Sequence, residues 1–102
     1  MKRRDRRSQP EPPGALVPRV LKDLGLEESA RALRVAERWE AVAGVEAARH
    51  SRPTGMRAGV LEVTADSSVW CQQLQMRRPE LLASLREVLG PDAPRDFWLR
   101  VG

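Results

Sequence analysis

The chain has 102 residues and a formal net charge of +4 at pH 7, with 31% charged and 41% hydrophobic residues. This size and composition predict one soluble globular domain with a modest core. No apolar run approaches the roughly 20 residues of a membrane-spanning helix. The basic N-terminus has no apolar segment behind it, so no secretory signal is expected. A single cysteine, Cys71, excludes an internal disulfide and fits a cytoplasmic protein.

The positive charge is concentrated in the first seven residues. They hold five basic side chains and one acidic one, whereas residues 8–102 hold 13 of each sign. Residues 1–13 are also rich in proline, so we expect a disordered basic arm before a single domain at 14–102. Its candidate phosphate-binding residues are Lys2, Arg3, Arg4, Arg6 and Arg7. The alternative is a tail that only aids solubility.

A second basic sector lies at residues 49–78, which contain five arginines and only two acidic residues, Glu62 and Asp66. These arginines are Arg49, Arg52, Arg57, Arg77 and Arg78. A basic arm with a basic sector is typical of a nucleic-acid-binding protein. A GC-rich coding bias is the alternative explanation, because arginine outnumbers lysine 16 to 2.

The N-terminal half predicts two helices. The first has apolar residues at helical spacing from Leu16 to Leu24 and ends at Gly25. The second runs from about Glu28 to Val42, with Gly44 as its C-cap. The predicted core-facing stripe of this second helix is Leu33, Ala36, Trp39 and Ala43.

The C-terminal half predicts three strands and a helical segment. Residues 50–56 read as an edge strand, because Pro53 cannot donate to a sheet on both sides. After a turn at 57–59, alternation predicts a strand with one buried face. That face consists of Leu61, Val63 and Ala65. A helix capped by Asp66 or Ser67 follows, and Pro79 either kinks it or opens a second helix.

The last strand places Phe97, Leu99 and Val101 on one face, and Trp98 and Arg100 on the other. The element order is then α-α-β-β-α-β. A chain this short can bury its apolar side chains between a small three-stranded sheet and helices on one face of it. The predicted architecture is therefore an α+β fold.

Catalytic chemistry is not expected. His50 is the only histidine and Cys71 the only thiol, too few ligands for a typical zinc site, and we expect His50 to be exposed. Ser67 and Ser68 lie outside any nucleophile elbow and are explained by helix capping. No glycine-rich phosphate loop is present. We therefore expect no enzyme activity, metal, cofactor or small-molecule substrate.

The three tryptophans have different expected roles. Trp39 falls on the core side of its helix. Trp70 reads as core or core rim, with partner contact as the alternative. Trp98 lies beside Arg100 on the outer side of the sheet, a pairing used for base stacking, unless a helix, tail or second subunit covers that face. We expect Arg77 and Arg78 to flank a partner or DNA surface instead of forming a structural ion pair, and Arg77 aligns with Trp70 if the helix persists.

The spaced residues Trp39-x4-Gly44, Gly59-Val60-Leu61-Glu62-Val63, Ser67-Ser68-Val69-Trp70-x3-Leu74, Leu81-Leu82 and Leu99-Arg100-Val101-Gly102 resemble the DciA family of bacterial replicative-helicase loaders. The resemblance covers about residues 15–102. It implies a K-homology-like domain in the bacterial cytoplasm that binds DNA and recruits or loads the helicase without an ATPase of its own. The Gly-x-x-Gly loop of ordinary K-homology RNA binders is missing, so their backbone clamp is not expected.

Three functions remain open from the sequence. The first is a DNA-binding helicase adaptor, in which the basic residues hold single-stranded or forked DNA and a patch near Trp70 contacts the helicase. The second is an RNA-binding module with Trp98 and Arg100 as a stacking platform. The third is a protein-interaction domain that binds no nucleic acid.

Overall fold

The computed structural model describes residues 25–102, and the predicted arm and first helix lie outside them. The elements in chain order are α1 (Leu26–Glu37), α2 (Trp39–Ala43), α3 (Val45–Arg49), β1 (Ser51–Arg57), β2 (Val60–Ala65), α4 (Ser68–Met76), α5 (Arg78–Leu89), a 3₁₀ turn (Gly90–Asp92) and β3 (Asp96–Val101). This order confirms an α+β fold with a three-stranded sheet. No helix among the described residues is long and apolar enough to cross a membrane.

The sheet has β2 at its centre, antiparallel to β1 and parallel to β3. Ser51 and Val101 both lie opposite Ala65. The start of β1, the end of β2 and the end of β3 are therefore aligned at one end of the sheet. Parallel strands need a long crossover, and α4 and α5 supply it. Their buried leucines pack on the inward side chains of β2 and β3. The predicted alternation is confirmed for Leu61, Val63, Ala65 and Phe97, which are buried, and for Trp98, which is exposed. Val101, predicted to share the inward face of β3, is 52% exposed at the end of that strand.

The predicted second helix is divided in two. It breaks at Arg38, whose φ and ψ of −110° and 12° leave the helical region. The predicted stripe is also partly wrong, because Leu33 is 65% exposed. The buried stripe is Ala32, Val35, Trp39 and Val42. Adjacent helical positions differ by about 100°, so burying the small Ala32 turns Leu33 away from the core.

Helix α3 follows α2 directly, although the sequence pattern does not predict this short helix. Gly44 is the C-cap of α2, as predicted, and also precedes the first residue of α3. Its φ of +97° lies in the region that favours glycine. The chain turns sharply there and enters β1 from α3.

The β1–β2 turn is a tight hairpin that also fixes the start of β3. Ala58 and Gly59 have φ values of 54° and 79°, so both central residues are left-handed, as two-residue hairpins prefer. The Arg95 amide donates to the Gly59 carbonyl at 2.9 Å, and Arg95 Nε donates to the Ala58 carbonyl at 3.0 Å. The segment before β3 is therefore bound to the hairpin.

The helical segment after β2 is two helices, as Pro79 predicted. Ser67 Oγ accepts a hydrogen bond from the Trp70 amide at 3.2 Å, which identifies Ser67 as the N-cap of α4. Helix α4 ends at Met76, and Pro79 lies in the first turn of α5. A proline in a first turn loses no intrahelical hydrogen bond.

Trp39 joins the helices to the edge strand. Its side chain is 4% exposed, and Nε1 donates to Ser51 Oγ at 3.0 Å. Ser51 Oγ in turn donates to the Ala47 carbonyl at 2.6 Å. The buried indole nitrogen and hydroxyl are thus both satisfied, and the chain of hydrogen bonds links α2, α3 and β1.

Replacing Trp39 by alanine is expected to lower the free energy of unfolding by about 3–5 kcal/mol, because a large buried side chain leaves a cavity. The matched control is Leu33→Ala on the neighbouring helix, which should change it by no more than about 0.5 kcal/mol. Urea denaturation followed by circular dichroism measures both. A larger loss for Leu33→Ala than for Trp39→Ala would contradict the buried stripe.

Candidate nucleic-acid interface

The outer face of the sheet is the surface opposite the helical layer. Side chains alternate along a strand, so each strand contributes every second residue to this face. Its members are Arg52, Thr54 and Arg57 from β1, Val60, Glu62 and Thr64 from β2, and Asp96, Trp98 and Arg100 from β3. A register irregularity between Pro53 and Gly55 also places Gly55 opposite Glu62.

Glu62 connects the three strands across the outer face. Its carboxylate accepts a hydrogen bond from Thr54 Oγ1 at 2.7 Å and lies 3.5 Å from the Arg100 guanidinium. Thr54 Oγ1 is also 2.9 Å from Thr64 Oγ1. Because the Thr54 proton goes to Glu62, Thr64 is the donor in this second contact. The polar middle of the face is therefore ordered before any ligand arrives.

A cleft of about 420 Å³ opens on the outer face beside Trp98. Trp98 is 48% exposed, as predicted for the side of β3 that faces away from the core. The cleft is lined by Ser29, Thr54, Gly55, Met56, Arg57, Val60, Glu62 and Trp98. An aromatic ring, a guanidinium group and a carboxylate thus meet around one depression.

The expectation that Arg77 and Arg78 avoid structural ion pairs is wrong. Arg77 forms an ion pair with Glu80 at 3.0 Å and donates to the Ala43 carbonyl at the end of α2 at 3.1 Å. The helix ends at Met76, so the predicted alignment of Arg77 with Trp70 along one continuous helix does not apply. Arg77 instead satisfies a helix C-terminus, where a cation is favourable.

Arg78 is tied to the start of β3. Its guanidinium pairs with Asp96, donates to the Phe97 carbonyl at 2.8 Å and lies 4.4 Å from the centre of the Phe97 ring. It also donates to Gln75 Oε1 at 3.0 Å. Arg78 therefore fastens the corner between α4 and α5 to the parallel edge strand, and it neutralises Asp96.

Hydrogen bonding from Arg77, followed by Coulombic attraction to it, lowers the pKa of the Glu80 carboxyl below its usual value. Glu80 thus stays ionised to more acidic pH than an isolated glutamate. The contact between these two side chains is exposed, so it orients Arg77 more than it stabilises the fold.

The predicted basic sector is consequently dispersed in the structure. Arg52 and Arg57 lie exposed on the outer face, where Arg100 joins them. Arg49 ends α3, exposed and 3.7 Å from Glu46. Arg77 and Arg78 belong to the helical layer. Sequence proximity grouped these five arginines, whereas strand alternation groups Arg52 and Arg57 with Arg100.

His50 is not the isolated exposed residue that the sequence predicted. Its ring stacks on the Trp70 ring, with centroids 4.9 Å apart and planes inclined by 9°. Nδ1 lies 2.8 Å from Asp66 Oδ2, and the Asp66 amide donates to the His50 carbonyl at 2.9 Å. These contacts make Trp70 a half-buried residue of the core rim. The cluster joins the start of β1 to the first turn of α4.

The side of α4 turned away from the core carries two exposed apolar residues, Val69 and Met76. They are 63% and 74% exposed. Seven positions span nearly two helical turns, so both lie on one side. We call Val69 and Met76 the α4 patch. Within residues 25–102, no three side chains of the metal-ligating types are grouped closely enough to bind a metal ion.

The sequence of the chain matches a known protein family. The family model described as "Dna[CI] antecedent, DciA" matches residues 12–97. The chain belongs to the DciA family. This family is linked to the loading of the replicative helicase and is not a known enzyme family.

Curated bacterial relatives carry only the name UPF0232 protein. The relative from Rhodococcus jostii is 37% identical over 81 residues, covering 79% of this chain and 43% of that protein. The one from Mycobacterium tuberculosis H37Rv is 35% identical over 88 residues, covering 86% and 47%. The Mycolicibacterium smegmatis relative is 39% identical over 77 residues, covering 76% and 40%. This DciA-family chain thus spans less than half the length of these relatives.

Substituting Arg78 with alanine is expected to lower the free energy of unfolding by about 1.5–3 kcal/mol, the usual worth of hydrogen bonds to charged groups. Arg49→Ala removes an equal charge from an exposed pair and should change it by no more than about 0.5 kcal/mol. Chemical denaturation of the two variants measures the difference. Equal stabilities would show that Arg78 does not fasten β3.

Proposed function

We propose that this DciA-family protein is a non-enzymatic DNA-binding adaptor that recruits or loads the bacterial replicative helicase in the cytoplasm. The observation that carries the proposal is the family match over residues 12–97, because this family is linked to helicase loading. The structure supports an adaptor by offering two separate surfaces of different chemistry. The partners are then DNA, single-stranded or forked, and the helicase.

The DNA-binding surface in this proposal is the outer face together with the basic arm. Arg52, Arg57 and Arg100 contribute guanidinium groups to one side of the sheet, and residues 1–7 contribute five basic side chains. Contacts of this kind with phosphates are mainly electrostatic and do not depend on sequence. Arg49 can extend the surface beyond β1. Arg77 and Arg78 add positive potential while remaining structural.

The helicase-binding surface in this proposal is the α4 patch, with Trp70 next to Val69 in the first turn of the same helix. Val69 and Met76 are exposed apolar residues of one helix side, and methionine adapts well to protein partners. The outer face and the α4 patch lie on opposite sides of the sheet. DNA and helicase can therefore be held at the same time, which is what recruitment requires.

Introducing a charge into the α4 patch is expected to weaken helicase capture. Val69→Glu and Met76→Glu should each weaken binding of the purified replicative helicase of the same bacterium at least tenfold, because a carboxylate buried at an apolar contact is not solvated. Both positions are exposed, so folding is preserved. Biolayer interferometry measures helicase affinity, and DNA affinity is measured in parallel and should not weaken beyond the effect of the added charge.

The matched control is Leu33→Glu, which places the same charge at an exposed leucine of α1. It should capture the helicase like the parent protein. If the parent does not bind the helicase at all, the proposed function is wrong. If Leu33→Glu weakens capture as much as the two α4 variants, the helicase surface lies elsewhere.

Neutralising the arm is expected to flatten the salt dependence of DNA binding. Replacing its five basic residues by glutamine removes at most five phosphate contacts, so the slope of log K against log salt should fall by up to about 4–5 on duplex DNA. Fluorescence anisotropy across a salt series measures the slope. The control replaces Arg31, Arg34 and Arg38 of α1 and should leave most of the slope. An unchanged slope in the arm variant would remove the arm from DNA binding.

An RNA-binding module is the second candidate function, favoured by the exposed Trp98 beside Arg100 on a sheet. It differs from the first in one measurement. The measurement compares the affinity of the protein for single-stranded DNA and for RNA of the same sequence. A helicase adaptor should bind the DNA at least as tightly as the RNA, whereas an RNA-binding module should bind the RNA more tightly.

A further inference from the structure

The cleft beside Trp98 combines features that suit an unpaired nucleobase. Trp98 offers an exposed ring face or edge on one side, and Arg57 lies on the other. Gly55 and Val60 leave the intervening surface low, since neither has a long side chain. The volume of about 420 Å³ falls in the range of small-ligand sites. Successive bases of single strands bind to such aromatic platforms by stacking.

The charge around the cleft is complementary to a nucleic-acid backbone. Residues 25–102 hold eleven arginines and eleven carboxylates. By strand alternation the outer face carries three of those arginines and two of the carboxylates, Glu62 and Asp96. Asp96, at the start of β3, is neutralised by Arg78. Among the described residues, the outer face thus has an excess of positive charge.

The charge of Glu62 determines where a base and a phosphate can each bind near the cleft. Its carboxylate is among the groups that line the cleft and is fixed by Thr54 and Arg100. A phosphate inside the cleft would be repelled by this carboxylate, whereas an uncharged base would not. Phosphates are instead attracted to Arg57, which lines the cleft, and to Arg100, which pairs with Glu62 beside it.

We propose that this cleft binds one unpaired base of single-stranded DNA, stacked on Trp98, with the flanking phosphates held by Arg57 and Arg100. The proposal rests on the proposed function and names the DNA subsite within it. A base inside a duplex is already stacked and paired, so the cleft selects single strands. The arm and Arg52 then attract neighbouring phosphates independently of sequence, while the base in the cleft fixes the position of the strand.

Gly55 allows the cleft to be filled without changing charge or the tryptophan. Its φ is not in the positive region, and a Cβ added there would lie 3.5 Å from Glu62 Oε1, an ordinary contact. Gly55→Leu is therefore compatible with the strand and occupies the space of the base. It complements Trp98→Ala, which removes the stacking surface, and Trp98→Phe, which keeps an aromatic ring.

The test uses the full chain and a fluorescein-labelled oligo-thymidine of about a dozen nucleotides, within the length that single-strand sites occupy. Fluorescence anisotropy gives the dissociation constant. Trp98→Ala should raise it about 5- to 100-fold, the range found for base–aromatic stacking. Gly55→Leu should raise it about tenfold, and Trp98→Phe by only a few-fold. Arg57→Gln should also reduce the salt slope by about 0.7, one single-strand phosphate contact.

The controls are Val45→Ala and Arg86→Gln, an exposed apolar residue of α3 and an exposed arginine of α5. Both should bind within twofold of the parent. Quenching of tryptophan fluorescence by the oligonucleotide should be present in the parent and in Val45→Ala, and reduced in Trp98→Phe although the DNA is still bound. A stability effect alone would not produce that separation. Thermal melting of each variant verifies folding.

The outcomes separate this proposal from the function it rests on. If the parent binds DNA but Trp98→Ala and Gly55→Leu bind it equally well, the cleft proposal is overturned while the adaptor function stands. If the parent binds oligo-uridine tighter than oligo-thymidine, the cleft is an RNA site and the proposal is overturned. If the parent captures the helicase but binds no DNA, the cleft proposal and the DNA half of the function fail together.

Discussion

The parallel pairing of β3 with β2 is the constraint on which the rest of the structure depends. A strand can return parallel to its neighbour only after a crossover, and here α4 and α5 form it across one face of the sheet. The inward residues Leu61, Val63 and Phe97 are thereby covered. Within residues 25–102, the same geometry leaves no crossover helix on the opposite side. The division into a helical layer and an outer face thus follows from the direction of one strand.

Two arginines hold that parallel strand in place from different sides. Arg95 binds the hairpin carbonyls of Ala58 and Gly59, and Arg78 binds Asp96 and Phe97 from the helical corner. Both contacts lie at the end where β3 begins. An edge strand paired on one side only is easily displaced, so anchoring its first residues fixes its register. The strand then presents Trp98 and Arg100 at defined positions on the outer face.

The sequence predicts those parts of the fold that depend on local periodicity. Alternation in β2 and β3 identified the buried face and placed Trp98 outside, and Pro79 divided the helical segment correctly. The face of α1 was misjudged because Ala32 and Leu33 are adjacent, and local pattern favours the larger residue. Which one is buried depends on how α1 lies against β1, where the two elements are in extensive contact.

The candidate site was less predictable, because it depends on pairs that are distant in sequence. Arg77 reaches Ala43, 34 positions earlier, and Arg78 reaches Asp96, 18 positions later. Local composition predicts that both arginines are free charges on the surface. Their contacts show that they instead hold elements of the fold together. His50 and Trp70 likewise meet only because β1 and α4 begin at the same end of the sheet. The sequence correctly predicts Arg100 on the outer face, but only the strand register places it in one row with Arg52, with Arg57 at the other end of the same face.

An arm and a cleft would contribute to DNA binding in different ways. Contacts between the arm and phosphates weaken steeply as salt rises, since they depend on counterion release. Stacking on Trp98 is largely insensitive to salt, because the base is uncharged. In the proposed function the arm would therefore increase the rate of association, as long-range charge does, while the cleft would limit dissociation and distinguish a single strand from a duplex. An adaptor with both features stays near DNA in general and is retained where the strands have separated, which is where a replicative helicase has to be placed.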